Sequence, residues 1–362
     1  MRVIDCVHLG VTGSCNFHCE YCCAAEEQCL DYQEFTIPEF EQFVIPALQE
    51  LRPNAVVLEG GEPLYKWDRL LKTIEIIKDN VDSVEAFQLL TNGSLLTEKR
   101  LKKLLEMTER SLDVIISFDT YNKEKDVRNP NAHHAVKNAI ELCKQYEVLS
   151  VISAVVTKQN FNDLENLLEK YKNTGILICC SPSIPHIPEH NKFALTPQQL
   201  VKLDTILLEN LLNPAYMPSP LPIEPNTWEQ LEPLLEEAHL RQYLGCTALK
   251  YDICIRPNGS IKPCQVWNLE IGNLRTETIK EILDSPVAQK IVNYKNHEGK
   301  CAKCKYRRSC LGGCRARAYM ETGNVYGDIP SCEVGPNGHP LEEIATQKFL
   351  EAIEYFAMKF SD

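Results

Sequence analysis

The chain has 362 residues, 44% of them hydrophobic and 24% charged, which is ordinary globular material for one large domain and a smaller one. Its formal net charge of −12 excludes a general nucleic-acid binder, which needs a basic surface to displace phosphate counterions. No stretch has the apolar length of a membrane span and no basic start leads into a signal-like apolar run, so a cytoplasmic protein without a membrane partner is expected.

From Val3 to about Ile184, β-branched runs alternate with helical patterns, the mark of a parallel α/β sheet built from βα units. Candidate strands are Val3 to Leu9, Ala55 to Leu58, Phe87 to Leu90, Asp113 to Phe118, Val148 to Val156 and Ile176 to Cys180. Candidate helices between them are Thr36 to Leu51, Leu70 to Lys78, Thr97 to Met107, Ala132 to Tyr146 and Asn162 to Tyr171. Thr97, Asn131 and Thr196 are read as helix caps, the last followed by Pro197 at the first helical position.

Just after the first strand, Cys15, Cys19 and Cys22 form C-x3-C-x2-C. Three thiolates in one small volume suit an iron–sulfur cluster, and three is one fewer than a cubane has irons, which leaves an iron able to bind something else. On spacing alone a structural zinc site stays open. With 17 cysteines and no secretory signal, the Cys content reads as metal ligands, and an environment low in oxygen is expected.

The triplet, with Tyr21 before its last Cys, resembles the signature of the radical S-adenosylmethionine (SAM) enzymes. Gly60-Gly61-Glu62-Pro63, Leu90-Thr91-Asn92-Gly93 and Ile116-Ser117-Phe118-Asp119 resemble that family's SAM-binding elements in their usual order. The resemblance implies a partial (β/α)6 TIM-like barrel over residues 1–212, with its chemistry at the C-terminal strand ends. It implies that Cys15, Cys19 and Cys22 hold a 4Fe–4S cluster whose open iron chelates SAM. Reductive cleavage then yields a 5′-deoxyadenosyl radical that abstracts hydrogen from substrate. Gly60, Gly61 and Glu62 would meet the methionine amino group, with Pro63 fixing the turn. Ser117 and Asp119 would meet ribose or carboxylate, Asn92 is a further SAM contact, and Tyr21 would lie near the adenine. Taken alone, Ser117 and Asp119 also read as strand-end capping, and Asn92-Gly93 as a plain turn.

Prolines 214, 218, 220, 222 and 225 crowd a linker, followed by a helix from Trp228 to Leu240, so that residues 213–240 separate two domains. Cys246, Cys264, Cys301, Cys304, Cys310, Cys314 and Cys332 then form a seven-cysteine pattern. With the turn Arg256 to Cys264 and the run Ile271 to Leu274, it resembles the SPASM domain appended to many radical SAM enzymes, here over residues 241–335. By that resemblance the domain holds two auxiliary 4Fe–4S clusters, making three in all. One would use Cys246, Cys264 and Cys314 with Cys254 as candidate fourth ligand, although Cys254 also reads as a buried apolar thiol. The other would use Cys301, Cys304, Cys310 and Cys332. Lys300, Lys303, Lys305, Arg307, Arg308, Arg315 and Arg317 surround these ligands with no acid among them, a charge that stabilises anionic clusters or receives an anionic substrate or electron-transfer partner. Over residues 336–362, helical spacing of Ile344, Phe349, Ile353 and Phe356 predicts a helix packed on the body, with a partner-binding helix as the alternative.

Adjacent Cys179 and Cys180 are expected on opposite faces of the last barrel strand, and His186 and His190 at the mouth of the site. Cys23, Cys29, His133 and His134 read as packing or surface residues. SPASM-type relatives chiefly modify peptides and proteins. The expectation is therefore a radical SAM oxidoreductase acting on a peptide or protein, by crosslinking, oxidation or epimerisation, with an electron donor such as flavodoxin or ferredoxin. The chain begins at the first barrel strand, so a separate leader-peptide-binding protein is a candidate partner. Sulfatase-maturing relatives carry a proton-accepting Asp directly after the turn cysteine; here Gln265 follows Cys264, and glutamine takes no proton at neutral pH. The alternatives are oxidation or decarboxylation of a tetrapyrrole or other small molecule, and a non-catalytic electron carrier.

Overall fold

Six βα units place their strands side by side in chain order, as β1 (Cys6–Thr12), β2 (Ala55–Gly60), β3 (Ala86–Thr91), β4 (Leu112–Ser117), β5 (Ser150–Val156) and β6 (Leu177–Pro182). The computed structural model describes residues 4–24, 33–148, 150–210, 221–237, 245–293, 297–334 and 338–359. All neighbouring pairs from β1 to β6 are parallel, and the sheet stays open. One face of each strand from β1 to β5 is buried: Val7, Leu9, Val56, Leu58, Leu89, Val114, Ile116 and Ile152 are each within a few per cent of complete burial, whereas β6 is only partly covered. The opposite face, carrying Gln88, Asp113, Ser117 and Ser153, is only partly covered.

The sheet continues past β1, which the sequence did not suggest. β7 (Asp252–Ile255) pairs parallel with β1, setting Cys254 beside His8, and turns through Arg256 to Gly259 into antiparallel β8 (Ser260–Lys262) and β9 (Gly272–Asn273). The turn lies so close to β1 that a Cβ on Gly10 would meet Pro257 Cδ at 2.4 Å.

The helices follow the predicted segments with shifted ends. Ile37–Glu39 starts on a capping box made by Thr36 and Glu39, and a π segment, Phe40–Val44, interrupts the expected single helix before Ile45–Leu51. Thr97 and Thr196 cap Glu98–Met107 and Pro197–Glu209 as expected. Asn131 falls inside a 3-10 turn, Pro130–Ala132, and His133–Gln145 begins one residue later than expected, with Ala132 at its N-cap position. Pro214, Pro218 and Pro220 of the linker lie outside the described residues.

The chain divides into two compact units that interleave in sequence, residues 1–190 with 248–292, and residues 191–247 with 293–362. The first contains the whole sheet. In the second, Pro197–Glu209, Pro225–Glu237 and the tail helix Glu342–Lys359 share a core of Leu208, Ile223, Trp228, Leu231, Ala345 and Phe349. The tail is therefore a packed helix. Among the described residues no helix is long and apolar enough to cross a membrane.

Candidate active site

All four sequence motifs of the first unit sit at the C-terminal ends of β1 to β4, where loops are free of the helical layer. The loop after β1 is anchored by Glu34, whose Oε1 accepts from Thr12 Oγ1 and Gly13 N–H, each at 2.7 Å. The loop after β2 lies against it backbone to backbone, with Gly61 N–H donating to Thr12 O at 2.7 Å and Glu62 N–H to Ser14 O at 2.9 Å. A Cβ on Gly60 would meet Thr12 O at 2.2 Å, and one on Gly61 would meet Ser14 O at 2.4 Å. Glycine is required at both positions by this approach, and at Gly60 also by a φ of +134°.

Glu62 is fully buried and accepts from Leu64 N–H at 3.0 Å, Thr91 Oγ1 at 2.7 Å and Asn92 N–H at 2.7 Å. Its carboxylate thus ties the β2 and β3 loops together. Burial pushes its pKa up to about 7 against the pull of these donors. Asn92 extends the tie to the cysteine loop, because its Nδ2 donates to Asn16 Oδ1 at 2.9 Å and lies 4.0 Å from Cys15 Sγ.

Cys15 Sγ also accepts from Phe17 N–H at 3.3 Å. Burial raises the Cys15 and Cys19 thiols, and for Cys19 the neighbouring Cys22 and Cys15 add to the rise. The neighbouring sulfurs thus repel as thiolates, a donor set that fits a cationic iron–sulfur core. Among the described residues no three His, Cys, Asp or Glu side chains converge round a single ion. A cubane, whose irons each take one thiolate, does not require them to.

Tyr21 Oη donates to the Asp119 carboxylate, which also accepts from Val155 N–H at 3.0 Å and stands 3.5 Å from Arg128 Nε. Arg128 is clamped by Asp126 at 3.0 Å and donates to the Ser117 carbonyl. Burial raises the Asp119 pKa while Arg128 opposes the rise. The cysteine loop is therefore locked to the ends of β4 and β5 by a buried network whose Arg128 and Asp126 were not singled out, since an Asp-Val-Arg in a loop has no spacing to mark it. Register sets Ser117 beside Ser153 and Ser153 beside Cys179, so Cys179 shares the partly covered face and Cys180 points the other way. His190 is buried after β6, and burial together with His190 and Lys262 pushes His186 down to about 4, which keeps it neutral. His133, one of the packing candidates, is buried with Nε2 3.0 Å from Thr120 O; Cys29 lies outside the described residues.

The later cysteines fall in both units. Cys254 is buried on β7 in the first, its Sγ 3.6 Å from both Glu59 Oε1 and Arg256 Nη1, and Cys264 follows β8. Glu59 also holds His8 Nδ1 at 3.0 Å and Arg256 Nη1 at 3.2 Å. Cys246 and Cys314 belong to the second unit, as do Cys301, Cys304, Cys310 and Cys332. The last four line one cavity of about 410 Å³. Burial pushes Cys310 up to about 11, with Cys332 and Cys304 adding to it, while backbone N–H groups of Leu221 and Gly312 pull it down. Asp328 fixes the start of this segment by accepting from Lys300 and Cys301 N–H, each at 2.8 Å. Four mutually repelling thiols with N–H donors round one cavity fit a four-thiolate cluster.

Much of the basic charge there is paired with acids from elsewhere in the unit. Lys305 meets Glu342 at 3.2 Å, Arg308 meets Glu229 at 3.2 Å and also Glu232, and Arg317 meets Glu321 at 3.6 Å.

Residues 9–171 match the family model of the radical SAM superfamily, and residues 246–305 match that of the SPASM iron–sulfur cluster-binding domain. The chain belongs to the radical SAM superfamily. It is an enzyme with a SPASM domain, and these domains carry a SAM-binding 4Fe–4S cluster and auxiliary clusters. The chain is similar to the AdoMet-dependent heme synthase of Methanosarcina barkeri, at 25% identity over 90% of this chain and 95% of that protein. It is also similar to the cysteine-type anaerobic sulfatase-maturating enzyme of Clostridium perfringens, at 26% over 84% and 86%. Among solved structures, native anSMEcpe with bound AdoMet and the Cp18Cys peptide shares the radical SAM fold at a TM-score of 0.65 and 20% identity, covering 98% of each chain. Streptococcus suis SuiB bound to its precursor peptide SuiA shares it at 0.62 and 16%, covering 92% of this chain and 76% of that one.

Proposed function

We propose that this radical SAM enzyme abstracts hydrogen from a peptide or protein substrate, leading to crosslinking, oxidation or epimerisation. The observation that carries the reading is the convergence of the β2, β3 and β4 ends on the Cys15–Cys22 loop through Glu62, Asn92 and Asp119. When bound, the cluster supplies the electron that cleaves SAM. Cys15, Cys19 and Cys22 hold it, and Cys301, Cys304, Cys310 and Cys332 hold an auxiliary cluster. The backbone of Gly60 to Pro63, with Ser117 and Asn92, orients SAM. Tyr21 and Asp119 keep the loop fixed so that water and competing hydrogen donors stay out. The peptide choice is supported by the similarity to the sulfatase-maturating enzyme.

A tetrapyrrole substrate is the second reading, favoured by the similarity to the heme synthase over 95% of that protein's length. The deciding experiment measures 5′-deoxyadenosine formed by anaerobically reconstituted protein with dithionite and SAM, with source-organism lysate added before and after protease digestion. Stimulation destroyed by protease supports the peptide reading. Stimulation that survives digestion and passes a small-molecule filter replaces it with the second.

A further inference from the structure

Arg315 differs from every other basic residue of its segment. Its side chain is fully buried, and among the described residues it makes no ion pair. Its guanidinium meets only backbone carbonyls, with Nη1 donating to Val325 O at 3.2 Å and Gly327 O at 3.0 Å, and Nε lying 3.5 Å from Gly313 O. Nη2 is buried with no hydrogen-bond partner. A whole positive charge without a counter-charge is costly inside a protein, and such groups are found where an anion completes them.

Gly312 lies between this nitrogen's neighbourhood and a cavity lined by cysteines. Leu311, Gly312 and Gly313 run consecutively through the left-handed region, at φ of 53°, 77° and 66°, and fold the chain over the guanidinium. A Cβ on Gly312 would stand 2.6 Å from His297 Cε1 and 2.8 Å from Arg315 Nη2, so the unpartnered nitrogen lies next to Gly312. Gly312 is itself part of the wall of the cavity that Cys301, Cys304, Cys310 and Cys332 line.

We propose that Arg315 is the buried counter-charge of the auxiliary cluster held by Cys301, Cys304, Cys310 and Cys332, and that it sets that cluster's reduction potential. The inference rests on those four cysteines binding a cluster, as proposed above. A cubane with four thiolates is already an anion, and taking up one electron adds one more negative charge to it. A fixed cation next to Gly312 stabilises the reduced state more than the oxidised one and raises the potential. Arg315 is in these terms a positioning residue for charge, touching no substrate.

The test uses the full-length, anaerobically reconstituted protein with Cys15, Cys19 and Cys22 changed to Ala, so that only auxiliary clusters remain. Iron content and an EPR-monitored potentiometric titration are compared for the parent, Arg315→Met, Arg315→Lys and a Cys304→Ala/Cys310→Ala variant. The signal lost in the double-cysteine variant identifies the cluster. The expected result is that Arg315→Met keeps its iron while the midpoint of that signal moves to lower potential, and Arg315→Lys stays nearer the parent. An unchanged midpoint in Arg315→Met overturns the proposal. So does loss of the cluster from both arginine variants, which makes Arg315 structural only. Unchanged iron and signals in the double-cysteine variant instead overturn the cluster assignment itself, whatever Arg315 does.

Discussion

Glu62 Oε2 lies 2.7 Å from the Asn92 backbone nitrogen, so the loop after β2 and the loop after β3 share one buried acceptor. Through the Asn92 side chain the same tie reaches Asn16, next to Cys15. The proposed SAM-binding elements are thus one hydrogen-bonded assembly rather than separate loops, and its members are expected to fail together.

Glu62→Gln replaces one acceptor oxygen with an amide N–H facing the donors it used to satisfy. A buried donor left unsatisfied costs about 1–3 kcal/mol. The thermal midpoint of the apo protein should fall accordingly, and the iron bound at the Cys15–Cys22 loop should decrease while auxiliary iron is kept.

Asn92→Ala removes the bonds to Asn16, Cys15 and Ser94 without creating a buried charge. Stability should change by about 1 kcal/mol or less, but the SAM-binding cluster should be lost faster on exposure to air. Its EPR signal, followed over time against that of the auxiliary clusters, measures this. Equal decay rates would show that Asn92 does not hold the loop.

Gly61→Ala drives a Cβ into Ser14 O, and backbone cannot step aside as a flexible side chain can. This variant should accumulate without the SAM-binding cluster. Gly175→Ala is the control, because its φ of +79° makes alanine strained while nothing lies within 4 Å of the added carbon. It should cost about 1–2 kcal/mol and leave iron content unchanged.

Asp204 borders the second-unit cavity, and burial pushes its carboxyl up to about 7 against the pull of Arg317. A carboxyl raised above its unfolded value of about 4 favours folding while protonated. That contribution is lost as pH rises through about 7. Asp204→Asn should therefore be more stable than the parent at pH 8.5, by about 1–2 kcal/mol once partial exposure is allowed for. The gap in thermal midpoint should narrow at pH 5.5; a constant gap would contradict the shift.

The order of strands and the cysteine ligand candidates were legible in the sequence because both depend on local patterns: β-branched runs, capping threonines at 97 and 196, and fixed Cys spacing. What was not legible depends on residues brought together from afar. β7 joins β1 although Cys6 and its partner Asp252 are 246 positions apart, and no periodicity encodes such a pairing. The acids that neutralise Arg308 and Lys305 lie on helices far from them in sequence, so the basic run looked freer than it is. Arg315 stood among seven similar residues, and only burial separates it from them. The helix expected from Ala132 begins instead at His133, because Pro130–Ala132 forms a 3-10 turn.

The most direct test of the account is 5′-deoxyadenosine formation by reconstituted protein with dithionite and SAM, compared with the variant in which Cys15, Cys19 and Cys22 are all alanine. The account predicts product from the parent and none from the variant, with auxiliary iron retained in both. SAM cleavage by the triple variant, or none by a parent shown to be fully loaded with iron, would contradict it.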